Sequence, residues 1–141
     1  MNFKLMSKQS KPAILCVDDE RIILTSLRDQ IERHFGKQYQ CELAQSADEA
    51  LEVLAELNED GVSTLIIVSD WLMPGMKGDE LLIQVHQKFP KIKKILLTGQ
   101  ADAAAIERTQ KMADLHRYLA KPWKEETLID VIASGLEEQD A

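Results

Sequence analysis

Reactive side chains stand at the ends of the short apolar runs in this 141-residue chain. They are Asp18, Asp19, Asp70, Thr98 and Lys121. Singly, each has an ordinary explanation: an aspartate can cap a helix or a turn, a threonine is common in strands, and a lysine is often a solvated charge. Since the carboxyl ends of parallel strands meet at one edge of a sheet, the joint pattern favours a shared site.

Three carboxylates held close together repel one another and resist ionising at the same time. A hard divalent cation, Mg²⁺ or Mn²⁺, relieves that repulsion, and so does a nearby ammonium group. Asp18, Asp19 and Asp70 with a metal ion and Lys121 would therefore form a site for a phosphoryl group. A carboxylate can itself be the nucleophile and become an aspartyl phosphate, while the metal and the lysine neutralise developing charge. Thr98 could then donate a hydrogen bond to the new phosphoryl oxygens.

Five strand-like runs alternate with five helical stripes. The runs cover residues 13–17, 39–44, 64–69, 94–98 and 117–120. Helices are predicted over residues 21–35, after a capping box at Ser46 and Glu49, around Leu81 to Phe89, over 101–112, and in a last stripe ending near Gly135. This alternation predicts a parallel sheet covered on both faces, with the alternating run 39–44 suited to an edge.

Length and composition predict one domain. With 45% hydrophobic residues, 141 residues can bury a substantial core. Residues 1–11 are polar and aperiodic and are expected to form a flexible N-terminal tail. Residues 12–136 would form the domain, and residues 137–141 a C-terminal tail or the start of a linker.

Several functional classes are disfavoured. The net charge of −7 argues against direct nucleic-acid binding, and no DNA-binding domain is expected in the residues after Gly135. No apolar run approaches the roughly 18 residues that a membrane span needs, and residues 1–11 lack the apolar core of a secretory signal, so a cytoplasmic protein is expected. Cys16 and Cys41 are interpreted as reduced thiols, with a disulfide or a metal pair as the alternative. The histidines lack metal-ligand spacing.

The segments ILCVDDE, SDWLMPGMKG, LLTG and YLAKPW together resemble the receiver domain of two-component response regulators. The resemblance extends from residue 13 to about residue 136, with the motifs in the expected order. It implies an α/β fold of three layers: a doubly wound (βα)5 flavodoxin-like parallel sheet with strand order 2-1-3-4-5. It also implies a signalling domain that catalyses only its own phosphorylation and dephosphorylation, rather than an enzyme.

The resemblance assigns roles to the metal-binding and reacting residues. Asp70 corresponds to the phosphoacceptor and Asp19 to a direct Mg²⁺ ligand. Asp18 corresponds to an acidic partner that acts mainly through water. The backbone carbonyl of Leu72 corresponds to a further metal ligand, and Lys121 to the lysine of the family pattern.

The resemblance also assigns a conformational switch. Thr98 corresponds to the switch hydroxyl, and Tyr118 to an aromatic side chain that turns inward when the threonine moves toward the phosphoryl group. The Lys121–Pro122 bond is expected to be cis.

Partners follow from the same resemblance. A histidine kinase or a histidine phosphotransfer protein would supply the phosphoryl group, and a downstream effector or a fused output domain would respond. A phosphorylation-dependent homodimer is a further expectation. The run LLTGQAD…RYLAKPW looks like receivers attached to signalling enzymes such as cyclic-dinucleotide phosphodiesterases.

Three positions are notable within the motifs. Lys77 stands where receivers often have an acidic residue before the loop glycine, which adds positive charge near the site. Leu72 and Gln100 occupy positions that tune the lifetime of the phosphoryl group in the family. The apolar Leu72 would not orient an attacking water, whereas Gln100 could.

Two other classes remain open. A phosphatase of the haloacid-dehalogenase type also uses an aspartyl nucleophile, but it requires an Asp-x-Asp pair on the first strand instead of the adjacent Asp18 and Asp19. A pseudo-receiver would keep the fold as an interaction module only. Such domains usually lose the acceptor, an acidic residue or the lysine, all of which are present here.

Overall fold

The computed structural model describes residues 11–99 and 103–140. Within these residues, strands and helices alternate in ten elements. The strands are β1 (Ala13–Val17), β2 (Gln40–Ala44), β3 (Thr64–Asp70), β4 (Lys93–Thr98) and β5 (Arg117–Ala120). The helices are α1 (Arg21–Phe35), α2 (Ala47–Glu59), α3 (Gly78–Lys88), α4 (Ala103–Ala113) and α5 (Glu125–Asp140).

All five strands are parallel and lie in the order β2-β1-β3-β4-β5, which confirms the predicted flavodoxin-like topology. The chain begins in the middle of the sheet, extends it on one side with β2, and then crosses to the other side of β1. This reversal leaves the carboxyl ends of β1 and β3 side by side. β2 is an edge strand, as its alternating pattern predicted.

The core consists of two apolar layers separated by the sheet. On one side, Ile14 and Cys16 of β1 pack with the apolar faces of α1 and α5. On the other side, Leu15 and Val17 pack with α2 and α3. Every residue of β1 is buried, because a strand covered on both faces leaves no side for water. The thiols of Cys16 and Cys41 are free.

Two helix boundaries follow the local sequence. Gly36 ends α1 with a φ of 61°, a left-handed conformation that glycine adopts readily. At the start of α2, the Ser46 hydroxyl accepts the Glu49 backbone N–H at 3.1 Å. The Glu49 carboxylate accepts the N–H of Gln45 at 2.7 Å. The predicted capping box is thus present, except that the Glu49 carboxylate accepts the N–H of Gln45 and not that of Ser46 itself.

The prediction that the last helix ends near Gly135 is wrong. α5 continues to Asp140, into the segment expected to be a C-terminal tail. A Cβ atom at Gly135 would lie 3.1 Å from Cδ1 of Ile66 and 3.5 Å from the ring of His116. The glycine therefore marks a close approach of α5 to the sheet rather than a helix end.

Some predictions concern residues outside the described ranges. They are the N-terminal tail up to residue 10, the role of Gln100, and the start of the fourth helix at residue 101. Within the described residues, no helix is both long enough and apolar enough to cross a membrane.

Candidate functional site

Asp18 is the most enclosed of the acidic side chains at the carboxyl edge of the sheet. Its N–H donates to the carbonyl of Ala44 at 3.1 Å, which continues the β1–β2 ladder by one residue. Its side chain is fully buried, and Oδ1 accepts the Glu20 N–H at 2.8 Å. Asp18 therefore orders the turn into α1, while its second oxygen stays directed to the site.

Lys121 joins two of the carboxylates. Its ammonium nitrogen lies 2.9 Å from Oδ2 of Asp18 and 3.1 Å from Oδ1 of Asp70. Burial would lower the pKa of this lysine, but the hydrogen bonds to both carboxylates raise it overall. Lys121 is therefore held in the charged form. The sequence predicted an ammonium group beside the three carboxylates, but it did not indicate that the shorter contact would be with Asp18.

Asp70 is the last residue of β3 and is buried. The pKa of its carboxyl is raised above the ordinary value, mainly by burial and to a smaller extent by repulsion from the Asp18 and Asp19 charges. The hydrogen bond and the charge of Lys121 lower the pKa but do not cancel the increase. One lysine thus does not fully compensate the carboxylates around it. A further positive charge here would lower the free energy of the ionised site.

Asp19 completes the acidic cluster. One oxygen from each of Asp18, Asp19 and Asp70 lies within 4.8 Å of the others. Asp19 is exposed, in contrast to the two buried carboxylates. Carboxylate oxygens that converge at a solvent-accessible edge are the ligand type that Mg²⁺ and Mn²⁺ prefer, so this donor set fits the predicted cation.

The switch residues lie on the two neighbouring strands. Thr98 ends β4 and is buried, and its carbonyl accepts the Lys121 N–H at 2.8 Å. This bond connects the backbone of the lysine directly to the end of β4. Tyr118 of β5 is 48% exposed, so its side chain points outward. The Lys121–Pro122 bond is cis, as predicted.

The loop after Asp70 has one buried and one exposed apolar side chain. Met73 is buried in the core, whereas the Leu72 side chain is 63% exposed. Trp71 packs partly on the core, and the ammonium of Lys77 lies 5.3 Å from the centre of its ring. Lys77, whose role the sequence left open, therefore contacts the aromatic face of the loop.

The two loop glycines have different roles. Gly75 has a φ of 78°, as a turn requires. Gly78 is needed for space instead, because a Cβ atom there would overlap the carbonyl oxygen of Asp70. Its N–H donates to the Trp71 carbonyl at 2.8 Å. The first residue of α3 is thus packed directly on the backbone of the acceptor strand.

Sequence reasoning missed a contact between α3 and α4. Arg108 donates to Oδ2 of Asp79 at 3.0 Å and approaches Oε1 of Glu80 at 3.6 Å. Asp79 is a charged residue at a mostly buried position, which is a signal of pairing once the fold is known. The sequence alone did not indicate which basic residue would meet it.

Comparison with known proteins agrees with this geometry. The sequence profile of the response regulator receiver domain matches residues 14–133. The hydrogenase transcriptional regulatory protein HoxA of Cupriavidus necator is 32% identical over 126 residues, which is 89% of this chain and 24% of that protein. The DNA-binding transcriptional regulator NtrC of Escherichia coli is 35% identical over 109 residues, covering 76% of this chain and 21% of NtrC. This chain thus spans about a quarter of these relatives.

Receiver domains of known structure have the same fold as this chain. The signal receiver domain of an HD domain-containing protein from Pseudomonas fluorescens Pf-5 has a TM-score of 0.82 at 32% identity, over 92% of this chain and 98% of that one. A CheY-like receiver domain protein from Methanospirillum hungatei has a TM-score of 0.82 at 30% identity, over 93% and 98%. With its strand order, its acidic cluster and these matches, the chain belongs to the receiver domain family of two-component response regulators.

Proposed function

We propose that Asp70 accepts a phosphoryl group from a phosphohistidine of a histidine kinase or a histidine phosphotransfer protein, in a Mg²⁺-dependent reaction. The observation that carries the proposal is the position of Asp70 between two further carboxylates and the ammonium of Lys121. The solvent-accessible edge of the sheet thus carries a nucleophilic carboxylate, a lysine ammonium group paired with it, and carboxylates that could bind a cation.

The transfer follows from the properties of these groups. An oxygen of the ionised Asp70 carboxylate attacks the phosphorus atom. The new P–O bond forms as the P–N bond to the imidazole breaks, and the leaving nitrogen keeps the electron pair and takes up a proton. Lys121 is held charged within reach of the acceptor and stabilises the phosphoryl oxygens.

The cation has an assigned place in this proposal. Asp19 and Asp70 would bind it directly together with the carbonyl of Leu72, and Asp18 would act mainly through water. Bound there, Mg²⁺ would neutralise charge on the carboxylates and on the transferred group. Asp18 is already engaged by Lys121 and by the Glu20 N–H, which suits an indirect role.

Phosphorylation then changes the charge at the end of β3. The phosphoryl group adds negative charge and acceptor oxygens, which attract the Thr98 hydroxyl and the Lys121 ammonium. Because the Lys121 N–H is bonded to the Thr98 carbonyl, movement at either residue is transmitted to the other strand. Tyr118 turns inward from its exposed position, and the face formed by α4, β5 and α5 changes. The signal is a shift between two populated states.

Two exposed apolar side chains close in sequence to the acidic residues are consistent with a protein donor. The side chains of Ile22 and Leu72 are 76% and 63% exposed, and each lies within a few residues of an acidic ligand. Large apolar side chains that remain exposed occur often at interaction surfaces. The downstream effector or fused output domain would read the remodelled face instead.

The proposal is tested by phosphorylation with a small-molecule donor. We expect acetyl phosphate with Mg²⁺ to produce an acid-stable, base-labile phosphoprotein, and chelation of the metal to abolish labelling. Asp70→Asn removes the nucleophilic oxygen at nearly constant shape and should not be labelled. Asp60→Asn is the matched control, because Asp60 is an exposed aspartate at the end of α2 and should be labelled like wild type.

Three results would contradict the proposal. Equal labelling of wild type and Asp70→Asn would assign the acceptor elsewhere. No labelling of wild type by any phosphodonor would favour the pseudo-receiver interpretation. Steady release of phosphate from phosphate monoesters would instead favour the phosphatase alternative.

A further inference from the structure

An ion pair joins the helix that follows the acceptor loop to the helix of the switch face. The Arg108 guanidinium on α4 lies 3.0 Å from Oδ2 of Asp79 and 3.6 Å from Oε1 of Glu80 on α3. The arginine side chain is 43% exposed, but that of Asp79 only 12%. A carboxylate so little hydrated depends on its partner more than a surface carboxylate does.

Asp79 is also connected to the acceptor. Its neighbour Gly78 donates its N–H to the Trp71 carbonyl and lies too close to the Asp70 carbonyl for any Cβ atom. Oδ1 of Asp79 accepts the Glu80 N–H at 3.0 Å, which fixes the carboxylate at the first turn of α3. The position of Asp79 is therefore set by the backbone of the acceptor strand.

We propose that Arg108 is a latch that holds α4 against α3 in the resting state and thereby sets how readily the domain is activated. This inference rests on the proposed function, because it concerns the equilibrium that phosphorylation of Asp70 would shift. Arg108 touches none of the reacting groups and is a positioning residue that acts through Asp79.

The direction of the effect follows from the state that the structure shows. Tyr118 is exposed and Lys121 pairs with the unmodified Asp70, so the arrangement is the resting one. The Arg108 contacts belong to this arrangement, and any displacement of α4 from α3 lengthens them. Removing them should therefore raise the population of the activated state and the apparent affinity for an activating ligand.

The experiment is a titration with beryllofluoride in the presence of Mg²⁺, followed by intrinsic tryptophan fluorescence. Both tryptophans are close in sequence to the reacting groups: Trp71 directly follows the acceptor, and Trp123 comes two residues after Lys121. For Arg108→Gln we expect the half-saturating concentration to fall roughly three- to tenfold, as loss of an ion pair with one buried partner allows. Asp79→Asn should give a similar change, since asparagine keeps an oxygen for the Glu80 N–H. The double variant should add little to either single one.

The matched control lies on the same helix. Lys111 pairs with Glu107 at 2.9 Å within α4, and both side chains are exposed, so Lys111→Gln removes a cation without affecting α3. It should bind beryllofluoride as wild type does. Arg108→Lys retains the charge and should restore part of the wild-type value, which loss of helix packing alone would not predict.

The outcomes are distinguishable. Equal or weaker binding by Arg108→Gln relative to wild type and Lys111→Gln would overturn the latch alone. No response of the wild-type protein would overturn the proposed function, and the latch with it.

Discussion

Replacement of Lys121 by methionine tests the electrostatics of the site most directly. The ammonium lies 2.9 Å from Asp18 and 3.1 Å from Asp70, and the side chain of Asp18 is fully buried. Methionine keeps much of the apolar stem but leaves two neighbouring carboxylates without compensation. Breaking a buried ion pair costs about 3–5 kcal/mol, and the lower end applies because Lys121 is 18% exposed.

We therefore expect Lys121→Met to lower the free energy of unfolding by about 3 kcal/mol in metal-free buffer. For a chain of this length, this corresponds to a fall of about 10 °C in Tm. Urea denaturation followed by circular dichroism measures the first quantity, and a thermal scan the second. Added Mg²⁺ should reduce the difference from wild type, because a bound cation compensates the same carboxylates.

Two further variants identify the cause. Lys111→Met removes an exposed lysine from an i,i+4 pair and should change stability by less than about 0.5 kcal/mol. Asp70→Asn added to Lys121→Met should recover part of the loss, since it removes one of the two repelling charges. If Lys121→Met were no less stable than Lys111→Met, or if Asp70→Asn deepened the loss, our account of the site would be refuted.

Three more predictions concern single positions. The pKa of Asp70 is raised in the folded state, so ionisation of this carboxyl lowers the stability of the fold. Asp70→Asn should therefore be more stable than wild type at pH 7 in metal-free buffer. Thermal scans should show this advantage vanish as the pH falls below 3.8, where the carboxyl is protonated in both the folded and the unfolded wild type. Gly78→Ala should lower the free energy of unfolding, measured by urea denaturation, by at least about 2–3 kcal/mol, because the added Cβ would overlap the Asp70 carbonyl. Gly75→Ala should lower it by only roughly 1 kcal/mol, because alanine is strained at the positive φ of this residue. Lys94 is buried, and burial lowers its pKa from 10.5 to about 8, so Lys94→Met should gain at most about 3 kcal/mol at pH 7. That gain should shrink as the pH rises from about 8 toward 10.5, because Lys94 is then neutral in the folded wild type and progressively loses its proton in the unfolded wild type as well. A gain that did not change with pH would contradict this explanation.

The reasoning from sequence succeeded where local patterns carry the information. Continuous apolar runs and helical stripes are set by which faces of each element are buried, and they identified all five strands and all five helices. The positions of Asp70, Thr98 and Lys121 at strand ends followed from the same pattern. Since a parallel sheet presents its carboxyl ends at one edge, the convergence of these residues needed only the topology.

Helix ends and packing distances could be predicted less well from the sequence. Gly135 was interpreted as a helix end because glycine is common there, yet α5 runs past it, and the residue serves a close approach to Ile66. Lys94 was predicted only as the first residue of a strand, whereas the structure shows that it is buried, with its ammonium donating to the Ile92 carbonyl. Neither fact has a local signature, because both depend on what packs opposite.

For this protein, the sequence by itself determined the order of the elements, the sheet they form and the reactive groups brought to its edge. The tertiary structure alone decided which charged side chains pair with one another. It placed Lys121 closer to Asp18 than to Asp70, and it directed Arg108 to Asp79 across 29 positions of the chain. Local periodicity records which side of an element is buried, whereas pairwise distances depend on how two elements far apart in sequence are packed together.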